Sequence, residues 1–390
     1  MSPASIPDVL VVGAGVIGAA TAFQLSQLGA GTVAVLDRAA AGSGMSSRSS
    51  ALIRMHYTFP PEVDLAVRSD ALFDAWPDLV GRPSCVRRTG FVRIVAPGEE
   101  EQLRRNVAMQ REHGAQAEVI DAAELARLAP GLATEDVECA AWEERGGYGD
   151  GAIVAGDLIG AARERGVRYQ PHTAVRSLVL SGSRVTGVRT DVGIQLAGLV
   201  VLAAGVWTAP VAASAGLKLP IETELHHVAV LAHRVGQGAS VACIDSITQT
   251  YFRPEAAGAM TLVGGFDGPR GILPDAAPAQ ASALDLAGMV GRAGRRVPGL
   301  AEAGIARGVT GVYDMTPDAR PLLGPVPGVD GLVLAAGFSG MGFKIAPAVG
   351  ECLAHLITSG AAAPVDLTAF RPGRFDDGQP IVAAFPYCDD

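Results

Sequence analysis

The chain has 390 residues, of which 49% are hydrophobic and 18% charged, and its formal net charge is −9. This length allows two domains with sizeable cores, and the negative charge argues against a nucleic-acid-binding surface. No run of about 18 uncharged apolar residues occurs, and the N-terminus lacks the basic segment of a signal peptide. We therefore expect a cytoplasmic protein without membrane-spanning helices.

Cysteine and histidine spacings give no sign of a metal site. His226 and His227 are adjacent, so their side chains would point to opposite faces of a strand. The five cysteines are scattered and form no C-x-x-C pair, at Cys85, Cys139, Cys243, Cys352 and Cys388. This pattern predicts neither disulfides nor structural zinc, and it fits a reducing compartment.

The first predicted elements are a strand, a helix and a second strand within residues 9–38. Residues 9–12 are an aliphatic run typical of a buried strand, and a helical apolar pattern covers residues 16–28. Three glycines lie at the spacing G-x-G-x-x-G where the helix begins, namely Gly13, Gly15 and Gly18. The second strand, residues 32–36, leads into Asp37, about 20 residues past the glycines. The arrangement predicts a dinucleotide-binding unit.

Each part of this unit has a physical role. The glycines let the chain turn tightly, let a pyrophosphate approach the backbone, and let the helix lie close to the sheet. The helix N-terminus at Val16 and Ile17 offers N–H groups to phosphate. Asp37 can accept hydrogen bonds from a ribose. The pattern does not choose between FAD and NAD, and an ordinary glycine-rich turn is the alternative.

The small, polar segment at residues 40–50 follows this unit directly. Its hydroxyl and N–H groups can cover the phosphates of a cofactor, whereas the alternative is a flexible linker. We expect cofactor contacts here and just before it from Arg38, Ser43, Ser49 and Ser50.

A second glycine-rich stretch, residues 337–344, follows a buried apolar run and precedes a helix. Two such sites far apart in sequence suit a long ligand. FAD would use the first site for its ADP half and the second for its flavin end, whereas NAD would leave the second without a ligand. A tight structural turn is the alternative. The expected cofactor contacts are Gly337, Gly340, Met341, Gly342, Phe343 and Lys344.

Strand patterns change between these two sites from buried runs to alternating ones, which indicates an inserted domain. We predict an α/β architecture in which a Rossmann-like FAD-binding domain with a parallel sheet surrounds an α+β substrate domain with a mostly antiparallel sheet. The FAD-binding domain is expected in three pieces and the substrate domain in two, at residues 1–84, 146–218 and 311–390, and at residues 85–145 and 219–310, respectively.

Five stretches resemble flavoprotein amine oxidoreductases of the D-amino acid oxidase superfamily. They are similar above all to the sarcosine oxidase branch, including the β subunit of its heterotetrameric enzymes. The stretches follow the family order along the chain: VLVVGAGVIGAATAFQLSQLG, SSALIRMHY, VLAAGVWT, VYDMTPDARPLLG and LVLAAGFSGMGFKIAPAVGECLA. Fold and cofactor carry over from such a resemblance, whereas the substrate does not.

The resemblance implies further cofactor contacts. Val175 matches the residue whose backbone meets the adenine. Ala204, Gly205 and Trp207 match residues that line the cofactor, and residues 340–344 match the segment along the pyrimidine edge of the flavin.

The resemblance also implies that Arg54 and Lys344 bind the substrate carboxylate. Arg54 interrupts an apolar run, where an unpaired cation is costly to bury. Arginine offers a planar fork and lysine a point charge, and both suit an anion. The alternatives are an internal salt bridge for Arg54 and an exposed helix start for Lys344. Tyr57 and Tyr251 are candidates to line the substrate cavity.

Two departures from the family pattern bear on the chemistry. Relatives with covalent flavin carry a cysteine where this chain has Gly311, so the resemblance implies non-covalent FAD. Oxidase relatives carry a lysine over the flavin and a nearby histidine, where this chain has Leu262 and Phe266. The nearest other cations, Arg253 and Arg270, are expected at loop edges.

The implied reaction is FAD-dependent oxidation of an amino acid or N-alkyl amino acid, such as a sarcosine-like amine. Hydride would pass from the carbon next to nitrogen to flavin N5, and the imine would then hydrolyse. A dehydrogenase that passes electrons to a partner subunit instead of oxygen is the first alternative. A flavin-bearing scaffold with little turnover is the second. Two assemblies are compatible with this interpretation: a complex with a partner subunit, or a homo-oligomer.

Overall fold

Two large β-sheets and a small third one organise the protein, and the computed structural model describes residues 6–266, 268–358 and 363–387. The strands are β1 (Val9–Val12), β2 (Val33–Leu36), β3 (Leu52–Ile53), β4 (Arg87–Arg88), β5 (Phe91–Ile94), β6 (Glu118–Asp121), β7 (Cys139–Glu143), β8 (Gly147–Tyr148), β9 (Arg168–Gln170), β10 (Val175–Ser181), β11 (Arg184–Thr190), β12 (Gly193–Leu196), β13 (Leu199–Leu202), β14 (Glu222–Ala232), β15 (Ala242–Asp245), β16 (Thr250–Glu255), β17 (Met260–Gly265), β18 (Gly304–Met315), β19 (Leu322–Val326) and β20 (Val329–Ala336). The α-helices are α1 (Val16–Gln27), α2 (Pro60–Asp74), α3 (Trp76–Val80), α4 (Glu100–Glu112), α5 (Ala122–Leu128), α6 (Gly151–Glu164), α7 (Thr208–Ala213), α8 (Ala283–Arg296) and α9 (Gly342–Thr358).

The first large sheet has a parallel centre, in the order β20-β13-β1-β2-β9. Its central strands are apolar on both faces because helices cover them: β1 and β2 are entirely buried. Strands β10, β11 and β12 extend the sheet beyond β20, and β19 pairs antiparallel with β20. The predicted Rossmann-like α/β sheet is confirmed.

The second large sheet has the order β18-β14-β17-β16-β15-β5-β7-β6. All of its strand pairs are antiparallel except β15 with β5. Two separate segments of the chain build it, β5–β7 and β14–β18, which agrees with the expected mostly antiparallel second sheet. The exact domain limits stay a prediction. Strand β18 crosses the predicted limit between residues 310 and 311.

Helices α1 and α9 cross at close range against the first sheet. A Cβ at Gly350 would lie 2.5 Å from the carbonyl carbon of Ala20, so the crossing depends on a glycine in α9. The first residues of both helices, Val16 and Gly342, line the same cavity. Among the described residues, no helix is long and apolar enough to cross a membrane.

We expect Gly350→Ala to lower the free energy of unfolding by about 1–3 kcal/mol, because α1 and α9 would have to move apart. Gly291→Ala in α8 is the matched control, since a Cβ there meets nothing within 4 Å. The control should gain roughly 0.5–1 kcal/mol from the better helix propensity of alanine. Urea unfolding of both variants measures the difference, and similar effects of the two substitutions would contradict the close crossing.

Candidate active site

A cavity of about 610 Å³ lies at the carboxyl ends of β1, β2, β13 and β20. Open α/β sheets bind their ligands at this edge. Most of the residues expected to contact the cofactor line it: Gly13, Gly15, Val16, Ile17, Asp37, Arg38, Ser43, Ser49, Val175, Ala204, Gly205, Trp207, Gly340, Gly342 and Phe343. The roles assigned to them stay predictions.

The glycine turn after β1 brings three backbone segments close together. Gly13 has φ +105°, and a Cβ there would lie 2.3 Å from the carbonyl oxygen of Ala203. A Cβ at Gly18 would lie 2.0 Å from the carbonyl oxygen of Gly13. Gly18 therefore acts by letting α1 approach β1, and it does not line the cavity. Gly15 lines the cavity and has no side chain, so its backbone is accessible to a pyrophosphate.

Asp37 closes the cavity beyond β2. Its Oδ2 accepts a hydrogen bond from the N–H of Ala14 at 2.6 Å, and its Oδ1 accepts one from the N–H of Ala39 at 2.8 Å. Burial raises the pKa of this carboxyl, and the two N–H donors oppose the rise. The carboxylate thus fixes the glycine turn as well as facing the cavity.

The loop between β17 and α8 covers the same end of the cavity. Asp275, between β17 and α8, accepts hydrogen bonds from Arg38 at 2.8 Å and from the indole N–H of Trp207 at 3.0 Å. The guanidinium of Arg38 also lies 4.9 Å from the centre of the Trp207 ring. The adenosine end of the predicted cofactor site therefore includes a residue far away in sequence.

The turn between β20 and α9 forms the other end of the cavity. The carboxylate of Asp314 accepts a hydrogen bond from the N–H of Gly337 at 2.7 Å. Burial raises the pKa of Asp314 to about 6, against the opposing N–H groups of Gly337 and Phe338. A Cβ at Gly340 would lie 2.5 Å from the Tyr313 ring, so a glycine is required there. This turn is held by contacts to β18.

Five of the predicted cofactor residues do not line the cavity: Gly18, Ser50, Gly337, Met341 and Lys344. Others that the sequence interpretation did not single out do line it, including Ser46, Arg48, Asp275, Tyr313 and Asp314. Ser46 and Arg48 lie inside the predicted polar loop, and Tyr313 and Asp314 inside a stretch used for the resemblance. These two patterns could have pointed to the four residues. No sequence pattern pointed to Asp275, because its position depends on long-range contacts with Arg38 and Trp207.

Lys344 is buried, whereas Arg54 is half-buried. Arg54 follows β3, its Nε is buried without a hydrogen-bond partner, and its guanidinium lies 4.3 Å from the centre of the Tyr57 ring. Lys344 is 8% exposed in the first turn of α9. Burial lowers its pKa well below the usual range, the charge of Arg54 adds to this, and Glu62 opposes it.

Neither cation is paired with an acid in the part of the chain that the structure describes. The internal salt bridge considered for Arg54 is absent there, and Lys344 is not an exposed helix start. The nearby carboxylate of Glu62 is instead paired with Arg320 at 2.8 Å. A buried lysine and a half-buried arginine without an acidic partner form a site that favours an anion.

The remaining candidates lie on the second sheet or next to it. Tyr251 is buried in β16 and is hydrogen-bonded to Tyr313, which lines the cavity. Leu262 is 5% exposed in an apolar cluster that includes Tyr251. The expectation that Arg253 sits at a loop edge is wrong: it is buried within β16, directly opposite Leu262.

Within β16, the side chain of Arg253 has both a hydrogen-bond acceptor and a salt-bridge partner. Its Nε donates to the carbonyl oxygen of Ser50 at 2.6 Å, and its guanidinium pairs with Glu255 at 2.7 Å. Arg270 is largely exposed and pairs with Glu224 at 2.7 Å. Both arginines thus already have carboxylate partners.

A parallel sheet with glycine turns at two ends of one cavity is typical of a dinucleotide-binding protein. The family model described as "DAO: FAD dependent oxidoreductase" matches residues 8–356. The chain therefore belongs to the DAO family of FAD-dependent oxidoreductases. This confirms the resemblance seen in the sequence, and with it FAD as the cofactor.

Relatives and solved structures agree with this membership. Sarcosine oxidase subunit beta of Rhizobium meliloti (strain 1021) is 29% identical over 382 residues, which cover 95% of this chain and 89% of that protein. L-proline dehydrogenase from P. horikoshii has a TM-score of 0.89 and 27% identity, covering 97% of this chain and all of that one. Glycine oxidase from Geobacillus kaustophilus has a TM-score of 0.83 and 26% identity, covering 94% and 98%.

The fold and the comparisons together establish an FAD-dependent oxidoreductase, and the relatives support oxidation of amino acids or N-methyl amino acids. The residues present fit FAD, since bare backbone at Gly15, a cavity-facing carboxylate at Asp37 and a second glycine turn at Gly340 line one elongated site. Among the described residues, no group of three or more His, Cys, Asp or Glu side chains could hold a metal ion.

Proposed function

We propose that this enzyme oxidises a small amine that carries a carboxylate, an amino acid or N-alkyl amino acid. The observation that supports it is the pair Arg54 and Lys344, which come from separate segments and have no acidic partner among the described residues; Lys344 is buried, and Arg54 is half-buried with a buried Nε. A charge-assisted contact to each is worth roughly 1.5–3 kcal/mol. Phe343 lines the cavity and Lys344 follows it directly in the chain, so we expect an anion bound at Lys344 to lie next to the flavin end.

Bound FAD supplies the chemistry, because its flavin accepts a hydride from the carbon next to the amine nitrogen. The protein must bind the amine in its neutral form. The positive charge of Arg54, and of Lys344 when protonated, lowers the pKa of a nearby ammonium group. The cations therefore hold the carboxylate and favour the reactive form of the amine together. The imine product then adds water and breaks down to a carbonyl compound and a free amine.

A dehydrogenase that passes electrons to a partner subunit is the second candidate. It is favoured by Leu262, an apolar residue where the resemblance places the lysine of the oxidases, and by a relative whose name makes it a subunit. Arg253 does not replace that lysine as a free charge, because it is paired with Glu255.

We expect FAD to be non-covalent. Gly311 lines the cavity where covalent relatives carry a cysteine, and none of the cysteines in the described ranges lines it. Acid precipitation of the purified yellow protein should leave the flavin in the supernatant, with the mass of intact FAD. Flavin that stays with the precipitate after washing would contradict this prediction. Cys388 lies outside the described residues.

Anaerobic stopped-flow reduction of the flavin tests the proposed function. The panel contains N-methylglycine, glycine and proline, together with the corresponding amines that lack the carboxylate. We expect at least one of the carboxylate-bearing amines to bleach the flavin far faster than its carboxylate-free partner. Equal rates for both members of every pair would overturn the carboxylate site. No reduction by any amine would favour the scaffold interpretation.

A further inference from the structure

A fully buried carboxylate lies behind the segment that carries Arg54. Glu143 ends β7 in the second sheet, and its Oε2 accepts a hydrogen bond from the N–H of Met55 at 2.7 Å. The N–H of His56 is a second donor to the same carboxylate. Its Oε1 is buried without a partner in the described part of the chain. Glu143 therefore fixes the backbone on the C-terminal side of Arg54, but it keeps one acceptor unused.

The charges around Glu143 come from several elements. Arg54 faces it from the end of β3 and Asp70 from α2, where Asp70 is itself paired with Arg88 and Arg145. Burial raises the pKa of Glu143 to about 7, the Met55 N–H and the Arg54 charge oppose the rise, and Asp70 adds to it. This carboxyl thus titrates where small changes in nearby charge decide its state.

Other titratable groups near the Arg54 segment are less able to respond. His56 is bonded to the hydroxyl of Tyr387 at 2.9 Å, and burial, with Arg93 and Arg54, holds its pKa well below the usual range. Glu62 is paired with Arg320. Two further groups with strongly displaced pKa values face Arg54: burial lowers the pKa of Lys344 and raises that of Tyr57, so the Tyr57 hydroxyl stays neutral.

We propose that Glu143 is a positioning residue for Arg54 and takes up a proton when a ligand carboxylate binds beside Arg54. This inference rests on the proposed function, because it requires the anion to bind at the two cations. The step is a simple protonation: solvent supplies one proton, and the free Oε1 of Glu143 receives it while Oε2 keeps the Met55 N–H.

The charge of the ligand explains why Glu143 would gain a proton on binding rather than lose one. A carboxylate that enters beside Arg54 brings a negative charge close to Glu143 in surroundings that exclude water, and this favours the neutral form of Glu143. Below the pKa of Glu143 the group is already protonated, so binding changes nothing. Above it, each binding event requires a proton, and the dissociation constant of the ligand rises by up to about tenfold per pH unit.

The test is isothermal titration of the holoenzyme with methoxyacetate, a carboxylate that matches N-methylglycine in length but has no titratable amine. Titrations at about pH 6 and pH 8, each in two buffers with different ionisation enthalpies, give the number of protons taken up. The variant is Glu143→Gln, which keeps an acceptor for Met55 but cannot gain a proton. The matched control is Glu144→Gln, the exposed neighbour.

At about pH 8 we expect wild type and Glu144→Gln to take up roughly half a proton or more beyond what Glu143→Gln takes up, and at about pH 6 no difference. We also expect Glu143→Gln to bind methoxyacetate more tightly than wild type at the higher pH, by up to about tenfold, with equal affinity at the lower pH. A purely structural role would weaken binding at both pH values.

Equal proton uptake by wild type and Glu143→Gln would overturn the inference and assign the proton to Lys344. Absence of uptake by wild type would overturn it as well. Failure of wild type to bind methoxyacetate at either pH would contradict the proposed function itself. Should Glu143→Gln not fold, Lys344→Met decides, because it must keep the pH-dependent uptake if Glu143 is the acceptor.

Discussion

Arg54→Met and Lys344→Met should each weaken the binding of the amine substrate by about ten- to a hundredfold while FAD remains bound. Each substitution removes one charge-assisted contact to the carboxylate and keeps most of the side-chain volume. Since Arg54 packs over Tyr57 through its guanidinium, the thioether of methionine retains part of that contact. The loss should appear in the dissociation constant of methoxyacetate and in KM.

Lys218→Met is the matched control, because Lys218 is exposed and lies outside the cavity wall. Flavin absorbance after gel filtration shows whether the variants keep FAD. Both substitutions should slow the reduction by a carboxylate-free amine much less than that by a carboxylate-bearing amine, since the carboxylate-free amine loses only the effect of the charge on its pKa and no carboxylate contact. An equal loss for both kinds of amine would mean that the cations hold the flavin or the fold instead.

Leu262→Lys should speed reoxidation of the reduced flavin by oxygen, by roughly 10²–10³-fold, since a fixed charge aimed at developing negative charge has effects of this size. Wild type should be reoxidised slowly in air and much faster by an artificial acceptor dye. The reason is local: Leu262 lies in an apolar cluster, and the arginine opposite it is paired. Recovery of the yellow colour of pre-reduced enzyme in air-saturated buffer measures the rate.

Met260→Lys provides the control for added charge, because it lies on the same face of β17 two residues away. It should leave the oxygen reaction unchanged. A wild type that recovers at the rate of an efficient oxidase would remove the main support for a dehydrogenase. Unfolding of Leu262→Lys is recognised by its loss of FAD, since a lysine is costly to bury in an apolar cluster.

The sequence predicted best the parts that short-range patterns determine. The first strand, the glycine turn and α1 agree with the structure to within a residue, because each depends on neighbours a few positions away. The second glycine stretch was expected to extend to residue 344 before its helix, whereas α9 begins at Gly342. This difference matters, since it moves Lys344 from the turn into the helix.

Long-range pairing explains what the sequence did not reveal. Strand β18 alternates glycine, arginine and β-branched residues and has no clear apolar period, so only its pairing with β14 defines it. Arg253 was misplaced because the sequence cannot show that its strand continues to Glu255. Glu143 carried no signal at all: its partner Met55 is 88 residues away, and Glu143 ends β7 of the second sheet whereas Met55 lies in the loop after β3.

The contact of Asp275 with Arg38 and Trp207 joins residues 237 and 68 positions apart across the mouth of the adenosine end. The N-terminal unit alone contains every glycine of the dinucleotide fingerprint, yet one wall of its cavity comes from the segment before α8. Cofactor retention is therefore a property of the whole chain. During synthesis on the ribosome, the nucleotide can be enclosed only after that late segment has emerged and folded back.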